Sequence, residues 1–248
     1  IVLTADRPPE QRLTGADQTI DQVNIFGNYA RWCVDLPCPT TEIKPAFILT
    51  TVDQAVYRAK SSVSGPVHIN CMYREPLAPL ETKKDFKTYL HDLTSWQRSD
   101  TPFTVYKKSA MNLSSETKKE IAAAIDEIKN GVIVVGKLAD EQETSVVLKL
   151  AQKLNWPVFP DITSGLRLGT NHSQVIPYFD QILLSDKFIE SDPFDGVLHL
   201  GGRITSKRWY QFIDKAQLLH YVMVLNHPLR NDPQHNVTLR VESSIQEF

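Results

Sequence analysis

The run Gly201-Gly202-Arg203-Ile204-Thr205-Ser206-Lys207-Arg208 carries the sharpest chemical signal in the sequence. It lies between a predicted strand and a predicted helix. In an open parallel sheet, ligands bind beyond the carboxyl ends of the strands, where free backbone N–H groups gather. Lys207 and Arg208 fall off the apolar stripe of Trp209, Phe212, Ile213 and Ala216, so both belong to the first turn of that helix. A positive charge there opposes the helix dipole by about 0.3–1 kcal/mol at an exposed site, and an anion facing it reverses the sign. A carboxylate-binding pair and a solvated pair of surface cations both fit this spacing. A G-x-G-x-x-G pattern is absent, so no dinucleotide fingerprint is predicted.

A second cluster opens the chain. Arg7 directly follows a predicted strand, and Pro8-Pro9 fix an extended exit that holds its guanidinium at the strand's carboxyl end. Such a planar fork suits a carboxylate. Asp17 and Gln18, in Gly15-Ala16-Asp17-Gln18, are placed at the start of the next predicted helix, where backbone capping and ligand contact are both open. Asp161 to Arg167 also follow a strand and read either as crevice lining or as an ordinary loop.

Other chemistries find no support. The seven histidines show neither H-E-x-x-H nor clustered metal spacing, and no G-x-S-x-G elbow marks a serine nucleophile. His68 and Asn70 alternate with apolar neighbours and read as the polar face of a strand. Cys33, Cys38 and Cys71 are odd in number and form no C-x-x-C pair, which predicts a reducing compartment. No metal ligand and no covalent catalyst are assigned. Lys plus Arg total 27 against 29 for Asp plus Glu, so at a net charge of −2 no bulk field would hold a nucleic acid or an anionic membrane. No apolar run approaches the roughly 18–20 residues of a membrane-spanning helix. A soluble globular chain of one large or two modest domains is expected.

The elements that must carry these residues alternate between strand and helix. Ile1-Val2-Leu3-Thr4 reads as a strand entered in mid-protein, which suggests a fragment. Thr51-Val52-Asp53-Gln54 fits a capping box that starts a helix ending before Gly65-Pro66, and Val67 to Cys71 alternate at period 2. Residues 80–115, with Lys83-Lys84 and Lys107-Lys108, read as a linker over the surface. Ile121, Ile125 and Ile128 mark a further helix, with Gly131 as its C-terminal cap. Val132 to Val135 form a buried strand, Val147 to Leu154 a helix, and Val158-Phe159, Gly196 to Leu200 and His220 to Leu225 three more strands. This βαβα pattern predicts a mainly parallel sheet with right-handed crossovers, a Rossmann-like α/β domain.

Taken together, Leu3-Thr4-Ala5-Asp6-Arg7-Pro8-Pro9-Glu10, Gly15-Ala16-Asp17-Gln18-Thr19, Gly65-Pro66-Val67-His68-Ile69-Asn70 with Tyr73-Arg74-Glu75-Pro76-Leu77, and Thr205-Ser206-Lys207-Arg208 resemble one enzyme family. It is the thiamine-diphosphate-dependent 2-succinyl-5-enolpyruvyl-6-hydroxy-3-cyclohexene-1-carboxylate synthases of menaquinone and phylloquinone biosynthesis. Residues 22–37 look most like the synthase region of the plant multifunctional protein. The resemblance implies that residues 1–79 are the later part of a pyrimidine-binding domain and residues 116–248 the central Rossmann-like domain. The activating glutamate would lie upstream of Ile1 and the metal and diphosphate motif beyond Phe248, so this chain alone would be inactive.

It further implies thiamine diphosphate with magnesium or manganese in the complete enzyme, 2-oxoglutarate and isochorismate as substrates, and a homo-oligomer. A plastid location follows if the plant likeness holds, a cytoplasmic one if the source is bacterial. By motif match, Arg7 and Gln18 contact isochorismate or the cofactor-bound intermediate, and Lys207 and Arg208 bind carboxylates. The family usually carries Asn where this chain has Asp17; helix capping, pairing with Arg7 and altered activity are all open. Two other readings compete: a carboxylate- or nucleotide-binding Rossmann-like module with a regulatory or scaffolding role, and an acetohydroxyacid synthase.

Overall fold

The computed structural model describes residues 1–78, 81, 84–107, 112–191 and 193–248. The chain divides into two compact units, Ile1–Lys108 and Ser109–Phe248. In the first, β1 (Val2–Asp6), β2 (Trp32–Leu36) and β3 (Val67–Met72) form a parallel sheet in the order β1-β3-β2, and α1 (Ala46–Lys60) connects β2 to β3. Side chains alternate across a strand, so Val67 and Ile69 of the central strand face Ala55 of α1 in a small core. His68 and Asn70 point to the opposite face. They form the polar face expected from their spacing, and that face is enclosed: each is only 1% accessible, because the segment after β1 folds back over them and the Phe26 ring meets His68 edge-on at 4.8 Å.

Helix α1 starts before the expected capping box, with Pro45 at its N-cap. Thr51 is therefore interior, and its hydroxyl donates to the Phe47 carbonyl at 2.7 Å, a local bond available to threonine inside a helix. The helix expected near Asp17 and Gln18 does not form. Left-handed backbone at Gly15 (φ 78°) and Gln18 (φ 60°) turns the chain instead, a conformation no right-handed helix can absorb. The stretch expected as a linker contains α2 (Lys87–Leu90) and α3 (Thr94–Gln97), with Leu93 buried between them and Tyr106 stacked on Tyr57 of α1 at 4.4 Å. The boundary expected at 79–80 lies outside the described residues, as do Lys83 and Lys108.

The second unit carries α4 (Ser115–Asp126), β4 (Gly131–Val135), α5 (Glu143–Leu154), β5 (Val158–Pro160), α6 (Phe179–Ile182), α7 (Asp186–Glu190), β6 (Gly196–Leu200), α8 (Lys207–Ile213), β7 (His220–Leu225) and β8 (Leu239–Glu242). Its parallel sheet has the order β5-β4-β6-β7-β8, a doubly wound topology whose order reverses between β4 and β6. The expected Rossmann-like α/β unit is present. Both faces are covered, as a parallel sheet requires: Ile133, Leu198 and Val222 pack with Ile121 of α4 and Val147 and Ala151 of α5. On the other face, Val132, Val197 and Met223 meet Trp209, Phe212 and Ile213 of α8. Gly131 is not a helix cap but the first residue of β4. A Cβ there would lie 2.2 Å from the Trp156 indole, so the glycine makes room for that ring. Strand β8, which the sequence reading missed, closes the sheet's far edge.

One polar side chain is enclosed at the sheet's centre. His199 on β6 donates through Nε2 to the Gly202 carbonyl at 2.9 Å, which leaves Nδ1 to accept from the Tyr221 hydroxyl at 3.0 Å. Burial disfavours its charged form and lowers its pKa from 6.5 to about 4. The unfolded chain thus takes up a proton near pH 6.5 that the folded chain refuses until about pH 4, so His199 makes stability fall as pH drops through that window. The expected loss is on the order of 2–3 kcal/mol. Denaturant melts from pH 7.5 to 4.5 should show it, and His199→Gln should flatten the slope; an equal slope in that variant removes His199 as the cause.

Candidate functional site

In the first unit the frame is a buried polar network centred on Asn70. Its Nδ2 donates to Asp6 Oδ2 and Asp35 Oδ1, both at 2.8 Å, while its Oδ1 accepts from Thr4 Oγ1 and Gln22 Nε2, also at 2.8 Å. The strand register places Thr4 and Asp35 on either side of Asn70. Two carboxylates so close repel unless a cation divides them. Arg12 does so: Nη2 reaches Asp6 at 2.7 Å, and the fork takes both oxygens of Asp35 at 2.8 and 2.9 Å. Hydrogen bonding from Arg12 holds the Asp35 carboxyl below its ordinary range, and burial works against that shift.

Arg7 leaves this network directly. Asp6 Oδ1 accepts its backbone N–H at 2.8 Å, and its Nη2 donates to Gln18 Oε1 at 3.3 Å. The structure thus brings together the two residues singled out in the amino-terminal motif. Nη1 lies 3.7 Å from Glu75, which is 76% exposed and so a weak, screened partner. Asp17 is exposed; among the described residues it neither caps a helix nor pairs with Arg7.

In the second unit the glycines do a different job from the one their sequence suggested. Gly202 donates to the Lys137 carbonyl at 2.8 Å and Gly136 to the Leu200 carbonyl at 2.9 Å. A Cβ on Gly136 would lie 1.9 Å from the Gly202 oxygen, and one on Gly201 2.7 Å from the Lys137 oxygen. At the point where the strand order reverses, backbone therefore packs on backbone, and neither Gly136 nor Gly201 has room for a side chain.

The segment that follows is pinned by two carboxylates. Asp161, fully buried after β5, accepts from Thr163 N and Oγ1 at 3.0 and 2.7 Å and from Thr205 N and Oγ1 at 2.6 and 2.7 Å. Burial alone would raise its pKa; these four bonds outweigh that and hold it below the usual carboxylate range. Asp180 on α6 accepts from Ser206 Oγ and from Arg208 Nη1. Ser206 in turn caps α8 by accepting the Trp209 N–H at 3.1 Å. Arg208 therefore already has an anion supplied by the protein, whereas Lys207 is exposed and has no hydrogen-bond or ion-pair partner among the described residues. Arg167 stands over the Phe179 ring, 5.6 Å from its centroid, a cation–π contact at the base of α6.

These residues do not form a cradle for thiamine diphosphate. Among the described residues no group of three or more His, Cys, Asp or Glu side chains could hold its metal ion. What each unit does present is a guanidinium or ammonium group on a rigid polar frame, which is chemistry for carboxylate recognition. The frame residues Asp6, Arg12, Asp35, Asn70 and Asp180 went unassigned in the sequence; for Asp6 and Asp161 the available signal was an acidic residue at the carboxyl end of a strand.

Replacing Arg12 with Met should destabilise the first unit by roughly 3 kcal/mol, since it strands Asp6, whose side chain is 3% exposed, beside Asp35. Adding Asp6→Asn and Asp35→Asn should recover much of the loss. Thermal and denaturant melts check both, and a silent Arg12→Met would mean that the carboxylates do not need the guanidinium.

Comparison with known proteins agrees with this architecture. The family model described as the middle domain of thiamine pyrophosphate matches residues 87–248. The 2-succinyl-5-enolpyruvyl-6-hydroxy-3-cyclohexene-1-carboxylate synthase of Rubrobacter xylanophilus is 41% identical over 248 residues, covering 100% of this chain and 42% of its own. The synthase of the same name from Salinibacter ruber is 40% identical over 246 residues, 99% of this chain and 42% of its own. Protein PHYLLO, chloroplastic, of Arabidopsis thaliana is 38% identical over 260 residues, 100% of this chain and 15% of its own. The chain thus spans well under half the length of these relatives. With the doubly wound second unit and the match over most of its length, the chain belongs to the thiamine pyrophosphate middle-domain family.

Proposed function

We propose that this chain forms part of a 2-succinyl-5-enolpyruvyl-6-hydroxy-3-cyclohexene-1-carboxylate synthase, in which 2-oxoglutarate loses carbon dioxide and its remaining four-carbon unit is joined to isochorismate. Residues 1–79 serve as the later part of a pyrimidine-binding domain and residues 116–248 as the central domain. Thiamine diphosphate, which supplies the electron sink when bound, and its magnesium or manganese ion are held by regions of the complete enzyme outside this chain. The complete enzyme works as a homo-oligomer. Its compartment follows its source, the plastid for a plant protein and the cytoplasm for a bacterial one; among the described residues no helix is long and apolar enough to cross a membrane.

The observation that carries this reading is positional. Arg7, Gln18, Lys207 and Arg208 all follow the carboxyl ends of parallel strands, the side of such sheets where ligands bind. Both substrates bring carboxylates, for which Arg7 and the Lys207-Arg208 pair supply counter-charge and Gln18 a hydrogen-bonding amide. Within the first unit Arg7 with Gln18 offers a fork and an amide to a carboxylate; within the second, taken by itself, the first turn of α8 offers positive charge. A nucleotide-binding module is the weaker reading, because the sequence carries no G-x-G-x-x-G fingerprint after a strand.

Calorimetric titration of the chain with isochorismate should show weak binding that Lys207→Ala reduces about tenfold, some 1.4 kcal/mol. Thiamine diphosphate with magnesium should not bind tightly; stoichiometric, tight binding would overturn the division of labour proposed for this chain. Asp17→Asn should change isochorismate affinity by less than about tenfold, because the exposed Asp17 side chain holds none of the frame described above.

A further inference from the structure

We propose that Arg208 is a positioning residue, locked to Asp180, and that Lys207 alone of the two cations meets the ligand's carboxylate. This rests on the carboxylate-binding reading above and divides its labour. Asp180 binds Arg208 Nη1 with one oxygen and the Ser206 hydroxyl with the other. Its side chain is 17% exposed against 44% for Arg208. Were Arg208 to turn toward a ligand, a mostly buried carboxylate would be left with a single hydroxyl, a heavily penalised state. Asp180 cannot follow Arg208 outward, because its neighbour Phe179 is fully buried and stacked on Phe159 at 5.0 Å.

The other end of the segment is held as firmly. Thr205 gives both its N–H and its hydroxyl to Asp161, which is itself fully buried. Ser206 holds Asp180 with its hydrogen and the Trp209 N–H with its lone pair. In Thr205-Ser206-Lys207-Arg208, three side chains are thus tied to interior carboxylates and one, Lys207, is presented. A lysine suits that place: its compact charge on a flexible stem can meet a carboxylate from several directions, whereas the arginine fork is already matched to Asp180. Two carboxylates from separate segments, Asp161 after β5 and Asp180 on α6, therefore fix the backbone from which Lys207 projects. Asp180 acts through Arg208 and Ser206 and touches no substrate.

A double-mutant cycle on the full chain tests this, with isochorismate affinity read by calorimetry and amide exchange read over residues 205–209. Lys207→Ala should weaken binding about tenfold and leave exchange protection unchanged. Arg208→Ala and the near-isosteric Asp180→Asn should each weaken binding several-fold and each lose protection over the same amides. Their combination should be no worse than the more damaging single change. Arg208→Lys, whose ammonium can still reach Asp180, should restore part of both readouts. Losses that add, with protection intact in Arg208→Ala, would place Arg208 on the ligand and overturn the division. Binding indifferent to Lys207→Ala, or absent from the unaltered chain, would overturn the carboxylate reading beneath it.

Discussion

A parallel sheet is buried on both faces, so every polar side chain on its central strands must find a partner inside the protein. Both units are organised by that requirement. Asn70 on β3 is satisfied only because Thr4 and Asp35 stand in register on the flanking strands and Gln22 reaches in from the covering loop. Asp6 and Asp35 then demand Arg12, and Arg12 draws the chain after β1 back across the sheet. His199 on β6 repeats the theme with neutral groups, joining Tyr221 on β7 to the Gly202 turn. In each case satisfying a buried polar atom fixes a loop at the carboxyl end of the strands.

That is how core chemistry becomes site geometry. Asp6 spends one oxygen on Asn70 and Arg12 and the other on the backbone N–H of Arg7, so the arginine leaves β1 from a defined position. Asp161 fixes Thr205 in the same manner. Hydrogen bonds to a charged acceptor are worth about 1.5–3 kcal/mol each, enough to hold a short loop against its conformational entropy. The cations that result are not equal: Arg208 is neutralised internally, Arg7 has a weak exposed partner, and Lys207 stands free of hydrogen-bond and ion-pair partners among the described residues. With a net charge of −2, attraction of an anion depends on such local differences and not on the chain's overall field.

How much of this could be read from the residues depended on how local each cause was. Val132 to Val135 are a strand by composition alone, and all are fully buried. The stripe of Trp209, Phe212 and Ile213 likewise names the inward face of α8. Thr51 misled because a threonine followed by glutamine three residues on fits a cap, although apolar residues 46–49 had already carried the helix past it. Gly131 misled, and the need for Gly136 and Gly201 went unseen, for a shared reason: each is required by an atom distant in sequence, the Trp156 ring or a facing backbone, and such approaches leave no periodicity. The alternation of His68 and Asn70 named the polar face of their strand but not its burial, because alternation reveals which side a residue takes, not what covers it. Asp180 was invisible for the same reason, since its partners lie 26 and 28 positions away.

The two units also differ in how much apolar surface supports them. The second has apolar clusters on both faces of its sheet; among the described residues of the first, Ala55, Val67 and Ile69 form the cluster, and Met72 and Leu93 are buried as well. The Asp6–Arg12–Asp35–Asn70 network adds polar bonds across the same three strands, and its members depend on one another. The frame that orients Arg7 and Gln18 therefore also ties together the strands that carry it, and changes to the one are felt in the other.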